Sequence, residues 1–357
     1  MTGFSSIDYL EWIAGRPERA THDLASSDLR PDGPSAGVVP PSLDGLPDPE
    51  GVTLEGQLAD VYDCSTGNVQ VTAGASHANA LVAATFAEGR VLVESPGYEP
   101  LVACPEAFGA RVERFDRPDG NLDPTLVGEA LDDANDADDG NDVSAVVVTN
   151  RHNPTGKLAD RETLAAVADR VAAHDALLVV DEVYASYDPE ADDGPFGGPT
   201  AAGLPNTLAI GSLTKFLGLG DLRIGWVVGP TDRIERLATA AWYFPVVAGP
   251  SRALARRALA NRDALADHAR DLCARNHDLL AEAVAASFDG EVPDGSPYAL
   301  VGHPDHDGDE LAARAAEEGV LVVPGRFFER PDAVRVSLGG HPDEMREALA
   351  AFAASVE

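Results

Sequence analysis

The stretch Ala145-Val146-Val147-Val148-Thr149, followed by the helical run Arg161 to His174 and then by Ala176-Leu177-Leu178-Val179-Val180, decides the fold. Both short segments are continuously apolar, so neither shows the alternation of a strand with one wet face; they read as strands buried on both sides. Working outward, the same rhythm recurs. Val69 to Thr72 reads as a strand, His77 to Phe86 as a helix and Arg90 to Glu94 as a strand, while Leu208 to Ile210 and Ile224 to Val228 close the series. The expected fold is α/β, a three-layer, mostly parallel sheet with helices on both faces. A long Ala/Leu/Arg pattern from Ser251 to Ala285 reads as one extended helix or a broken pair. After it, Tyr298 to Val301, Val320 to Val323 and Val334 to Ser337 predict strands of a smaller α/β domain. The expected division is an N-terminal arm over residues 1–45, part of the small domain, a large domain over 46–280 and a small C-terminal domain over 281–357. The arm holds one amphipathic stretch, Ile7 to Ile13. Asp132 to Asp142 and Pro189 to Pro205 read as solvated surface loops.

Composition narrows the function classes. A formal net charge of −34 speaks against nucleic acid or an anionic membrane as a partner, since both call for basic patches. Only two lysines, Lys157 and Lys215, stand among the 26 Lys and Arg residues. An Asp-rich surface that uses arginine for nearly all its cations fits a salt-rich cytoplasm, where at about 1 M salt the Debye length of about 3 Å screens self-repulsion. Cys64, Cys104 and Cys273 are odd in number and lack a Cys-x-x-Cys pair, so a reduced, cytoplasmic protein is expected, with no disulfide framework and no zinc site. No leader and no membrane span are expected either.

In open α/β sheets, ligands gather at the carboxyl ends of the strands. The polar motifs fall there: Gly74-Ala75-Ser76, Asn153-Pro154-Thr155-Gly156, Asp181-Glu182-Val183-Tyr184 and Ser212-Leu213-Thr214-Lys215. Gly74-Ala75-Ser76 follows a strand and opens a helix, so its amides and the Ser76 hydroxyl could hold a phosphate, although an ordinary tight turn has the same composition. Asp181 ends a buried strand and must be paired, cap something or bind a ligand cation. Lys215 is the more pointed residue. A lysine amine can lose its proton and attack a carbonyl, which a guanidinium cannot do.

Taken in order, with Pro96-Gly97-Tyr98, an arginine eight residues after Lys215 and a late Arg335-Val336-Ser337, these motifs resemble the fold type I pyridoxal-phosphate enzymes. Within that group the chain is most similar to the class I/II aminotransferases over about residues 50–350, and to their histidinol-phosphate branch. The resemblance implies pyridoxal 5′-phosphate as cofactor, an amino acid and a 2-oxo acid as substrates, and a homodimer. It implies that Lys215 carries the cofactor as a Schiff base and moves the substrate proton, that Asp181 pairs with the pyridinium nitrogen, and that Tyr98 stacks on the ring. Tyr184 would hydrogen-bond the ring 3′ oxygen, with Asn153 beside it. Gly74, Ala75, Ser76, Ser212 and Arg223 would hold the phosphate, and Arg335 the substrate carboxylate, with Asn153 also on the substrate side. Leu46 stands where many relatives have a tyrosine that reaches the neighbouring subunit's phosphate, which leaves Tyr62 as a substitute. The segment covering the substrate falls within His22 to Asp28.

Two alternatives accompany the aminotransferase reading. A decarboxylase of the threonine-phosphate type shares the same motifs. A non-catalytic effector-binding domain is the other, but such regulators carry a basic helix-turn-helix unit before this part, and only about 45 residues, acidic on balance, precede it here. His303 to Asp309 has metal-ligand residue types on an expected small-domain loop, and no metal is expected. Gly218-Leu219-Gly220 lacks the flanking strand and helix of a nicotinamide site.

Overall fold

A computed structural model describes residues 4–30, 37–136, 142–188 and 194–356. Seven strands form the main sheet: β2 (Val69–Thr72), β3 (Arg90–Ser95), β4 (Arg111–Asp116), β5 (Val143–Thr149), β6 (Leu177–Asp181), β7 (Thr207–Ser212) and β8 (Gly225–Val228). Their order is β2-β8-β7-β6-β5-β3-β4. Six strands share one direction, and β8 alone is antiparallel to both neighbours.

The continuous apolar runs are continuous because successive residues enter different cores. Val146, Val148, Leu178 and Val180 pack with Leu131, Leu164 and Val171 of the helices Pro124–Asp136 and Arg161–Ala173. Ala145, Val147, Leu177 and Val179 point the other way, onto Leu81, Leu101 and Leu237 of the helices Ala75–Phe86, Glu99–Ala107 and Thr231–Ala241. Every one of these side chains is buried, and full burial of one such aliphatic group is worth about 1.5–3 kcal/mol.

A second, smaller sheet is antiparallel, with β12 (Val323–Pro324), β13 (Ala333–Ser337), β10 (Tyr298–Gly302) and β9 (Asp289–Glu291) in that order. The arm adjoins it through β1 (His22–Asp23), which pairs in parallel with β11 (Val320–Leu321). Leu24 completes the join, fully buried, with its N–H on the Leu321 carbonyl at 2.9 Å.

The run from Ser251 onward is a broken pair, Gly249–Ala260 and Arg262–Ser287, divided at Asn261. The strand expected over Val320 to Val323 is two pieces, β11 and β12, in different sheets. Asp132 to Asp136 is the last turn and a half of a helix rather than a loop; residues 137–141, and residues 189–193 of the other expected loop, lie outside those described. Several acidic residues have structural work as helix caps. Asp160 accepts from the Thr163 N–H at 2.8 Å, and Asp307 from those of Asp309 and Glu310 at 3.0 and 2.9 Å, each cap worth about 1 kcal/mol.

Candidate active site

The shared direction of six strands brings the motifs to one edge. Asp181 ends β6 and stands in register with Thr149 of β5 and Ile210 of β7, so the turn after β5 and the Lys215 segment after β7 flank it. The reversal of β8 accounts for the arginine eight residues beyond Lys215. Because β8 runs backwards, its first residue, Gly225, is level with the last residues of β2 and β7, Thr72 and Ser212. Arg223, two residues earlier, therefore lies beside Gly74.

That corner is a cradle without room for side chains. Gly74 has φ +82°, and a Cβ there would lie 2.7 Å from Arg223 Nη2; a Cβ on Gly225 would lie 2.5 Å from the Gly74 carbonyl carbon. Arg223 is exposed, with left-handed φ 49°, and its guanidinium has no polar partner among the described residues. The helix starting at Ala75 runs for 12 residues and offers its free amides to the same corner. Ser76 is exposed, and Ser212, half-buried, accepts the Thr214 N–H at 3.3 Å. The corner has the donor set of an anion site.

Asp181 is buried at 6 % exposure. Asn79 donates to Oδ2 at 2.9 Å and the Val183 N–H to Oδ1 at 3.3 Å. Burial pushes its carboxyl above the ordinary range, Glu94 adds to the rise, and the two donors and Lys215 oppose it. A carboxylate so placed is a receptor for a cationic N–H, which would remove its desolvation penalty.

Lys215 is half-buried. Its Nζ donates to Ser27 Oγ at 3.4 Å and lies 5.7 Å above the Tyr184 ring. Burial lowers its affinity for a proton, but the fields of Tyr184, Asp28 and Tyr9 outweigh burial and the opposing Arg335, and the amine is held above its usual value.

Arg335, on β13, is 1 % exposed, with its guanidinium over Phe328 and Tyr298 at 4.9 and 5.4 Å from the ring centres. It donates to Asn153 Oδ1 at 2.9 Å and to the Ala25 carbonyl at 3.0 Å, while its Nε–H has no partner among the described residues. Asn153 is thus fixed to β13 of the second sheet, and Arg335 reaches the turn after β5. Tyr98, half-buried, packs edge-on against Tyr9 at 5.7 Å.

Three side chains at the site were not singled out by sequence reading. Asn79 lies one turn into the helix after Ala75, a spacing that could have found it. Ser27 is inside the His22 to Asp28 region, and Tyr9 in the arm's first helix, Asp8–Ile13. Tyr62, expected as a substitute for the missing tyrosine, is half-buried, and its hydroxyl accepts the Trp226 indole N–H at 2.9 Å. Lys157 has a structural partner, both carboxylate oxygens of Glu291 at 2.8 Å, which ties the turn after β5 to β9. His303 and His306 stack at 4.9 Å. Among the described residues no cluster of three or more His, Cys, Asp or Glu is arranged to hold a metal, and no helix is long and apolar enough to cross a membrane.

Glu182, next to Asp181, is a second buried carboxyl. Burial pushes it up to about 7 from 4.5, against the Ala201 N–H and the Thr200 hydroxyl, which donate at 2.5 and 2.7 Å. Native Glu182 keeps a proton that the unfolded chain releases, so its contribution to stability is complete below about pH 4.5 and is lost as pH rises through about 7. Glu182→Gln is expected to flatten this part of the pH dependence. Urea unfolding at about pH 5 and about pH 8 checks it, the wild type losing stability relative to the variant at the higher pH.

Sequence comparison places this geometry. The profile of the family "Aminotransferase class I and II" matches residues 41–352. The chain belongs to this family. Histidinol-phosphate aminotransferase of Halobacterium salinarum is 29 % identical over 352 residues, 91 % of each chain. Capreomycidine synthase of Streptomyces vinaceus is 32 % identical over 251 residues, 68 % of this chain and 62 % of that enzyme. Thermus thermophilus aspartate aminotransferase with maleate superposes with a TM-score of 0.76 at 26 % identity, covering 98 % of this chain and 94 % of the other. A pyridoxal-phosphate-dependent aminotransferase of Streptococcus suis, at 21 % identity, shares the fold with a TM-score of 0.84 over 99 % of this chain and 97 % of its own. The chain is thus an enzyme of the pyridoxal-phosphate-dependent aminotransferase type, with the fold type I architecture. The residues present fit the cofactor: for the phosphate, a glycine cradle whose guanidinium has no side-chain partner among the described residues; for the ring nitrogen, a buried carboxylate; and a lysine amine whose charge that carboxylate feels.

Proposed function

We propose that this aminotransferase moves an amino group between an amino acid and a 2-oxo acid, with Lys215 as the proton-transferring amine and Arg335 as the carboxylate clamp. The observation that carries the reading is the convergence of Lys215, Asp181 and the Asn153–Arg335 pair at one sheet edge, beside the Gly74–Arg223 corner. Pyridoxal phosphate, when bound, supplies the electron sink that the protein lacks. The other work falls to side chains. Gly74, Ala75, Ser76, Ser212 and Arg223 would hold the phosphate, Arg223 by a charge-assisted contact. Asp181 would keep the ring nitrogen protonated, Tyr98 would contact the ring, and Tyr184 and Asn153 would hydrogen-bond its 3′ oxygen. Arg335 presents its donors to a carboxylate, and Lys215 moves the proton at the substrate α-carbon.

The histidinol-phosphate branch is the favoured subclass, supported by relatives aligned over nine-tenths of the chain. A homodimer is the assembly we propose, and the cytoplasm of a salt-adapted cell the setting. The net charge of −34 supports the latter. On dilution from molar salt to about 0.1 M the Debye length grows from about 3 to about 10 Å, and the enzyme is expected to lose its fold or activity; circular dichroism across that range checks it, and unchanged stability would contradict it.

A second reading, amino-acid cyclisation, takes its support from the likeness to a pyridoxal-phosphate-dependent cyclase, 25 % identical with a TM-score of 0.78. An amino-donor panel at high salt separates the readings. Transamination predicts one 2-oxo acid released per donor consumed, with the carboxylate carbon retained. Carbon dioxide release would point to decarboxylation, and a cyclic product without 2-oxo acid to the second reading. No conversion of any donor by protein with bound cofactor would sink the proposal.

A further inference from the structure

The arm brings Ser27 to the catalytic edge and pins it from both sides. Two residues before it, the Ala25 carbonyl accepts from Arg335 at 3.0 Å; two residues after it, the Leu29 N–H donates to the Lys215 carbonyl at 3.1 Å. The serine is 5 % exposed. Its Oγ lies 2.6 Å from the Tyr184 hydroxyl and accepts from Lys215 Nζ at 3.4 Å. These partners are 157 and 188 residues away. A serine serving only the local turn would bond its own neighbours.

A hydroxyl donates one hydrogen and accepts two. With Lys215 protonated, Nζ donates to Ser27 and Ser27 donates to Tyr184. With the amine neutral the order reverses: Tyr184 donates to Ser27, whose own hydrogen turns to the amine lone pair. The pair of hydroxyls therefore matches either state of the amine without moving a heavy atom. We propose that Ser27 is a positioning residue for Lys215, its hydroxyl, backed by Tyr184, aiming the amine and following it through both protonation states. The proposal rests on the reading of Lys215 as the proton-transferring amine.

The charged and titratable groups facing Lys215 are Tyr184, Asp28, Tyr9, Arg335 and Asp181. Ser27 is neutral, so its removal leaves that field in place and withdraws one hydrogen bond. In Ser27→Ala the ammonium loses an acceptor, which disfavours the charged form. The chain suits a direct measurement. With only two lysines, the full-length protein labelled with 13C,15N-lysine gives two side-chain signals, and Lys157, held by Glu291 at 2.8 Å, is the internal standard. Titrated at high salt, Lys215 of Ser27→Ala is expected to lose its proton about half a pH unit or more below the wild type, with Lys157 unmoved. Ser27→Thr should restore the wild-type midpoint. An unchanged midpoint in Ser27→Ala, or a shift that threonine does not reverse, would overturn the proposal. Should Ser27→Ala not fold, Ser27→Cys, which keeps the side chain's size and leaves the ammonium only a weak acceptor, decides it by the same shift. The titration needs no bound cofactor, so its failure is separate from failure in the donor panel.

Discussion

Lys215→Ala is expected to lower turnover by at least about a thousandfold, the scale on which removal of a general acid–base group acts. The reason is local. Lys215 is the one lysine at the edge where six strands end, between the Asp181 carboxylate and Ser27. Lys215→Arg should be as inactive as alanine, because a guanidinium keeps its proton and cannot serve as nucleophile or base. Lys157→Arg is the control. Its partner Glu291 is largely exposed, such a pair is worth at most about 1 kcal/mol, and activity should stay within about twofold of wild type. Initial rates at saturating donor distinguish these outcomes; substantial turnover by Lys215→Arg would remove the amine from the mechanism.

Arg335→Ala is the second large effect. It is expected to raise KM for the amino acid about a hundredfold, since a buried, bidentate-capable guanidinium is lost where a carboxylate would bind. It should also destabilise the fold by about 1–3 kcal/mol, because Asn153 Oδ1 and the Ala25 carbonyl each lose a donor in a dry setting. Arg335→Lys keeps the charge but not the fork. One ammonium cannot serve Asn153, Ala25 and a substrate together, so KM should recover only in part. A KM unchanged in both variants would assign Arg335 to its structural contacts alone. Kinetics together with denaturant unfolding separates the two roles.

Some of this was legible in the chain because physics there is local. β5 and β6 announce themselves because both faces are buried, and the site motifs because each follows such a strand directly. β4 left no comparable trace. It is an edge strand, and of Arg111-Val112-Glu113-Arg114-Phe115-Asp116 only Phe115 is buried, so its pattern is that of a polar segment. The helix Glu99–Ala107 carries Pro105 inside it, which masks its period. The acidic end of the helix Pro124–Asp136 reads as a loop on composition alone.

Contacts across the fold were beyond such reading. The partner of Lys157 is 134 residues away, that of Tyr62 is 164 away, and Ser27 meets Lys215 across 188. The reversal of β8, which seats Arg223 beside Gly74, follows from strand order that a list of elements does not contain. Sequence spacing pointed to Arg223 only through resemblance, whereas the register of Gly225 with Thr72 and Ser212 supplies the physical cause.

The central claim is that Lys215 is the amine that carries the cofactor. Borohydride reduction of the holoenzyme fixes the cofactor to that amine, and peptide mapping then locates it. With two lysines in the chain the answer is unambiguous: the label is expected on the peptide containing Ser212-Leu213-Thr214-Lys215, and a label on Lys157, or on neither, would contradict the account.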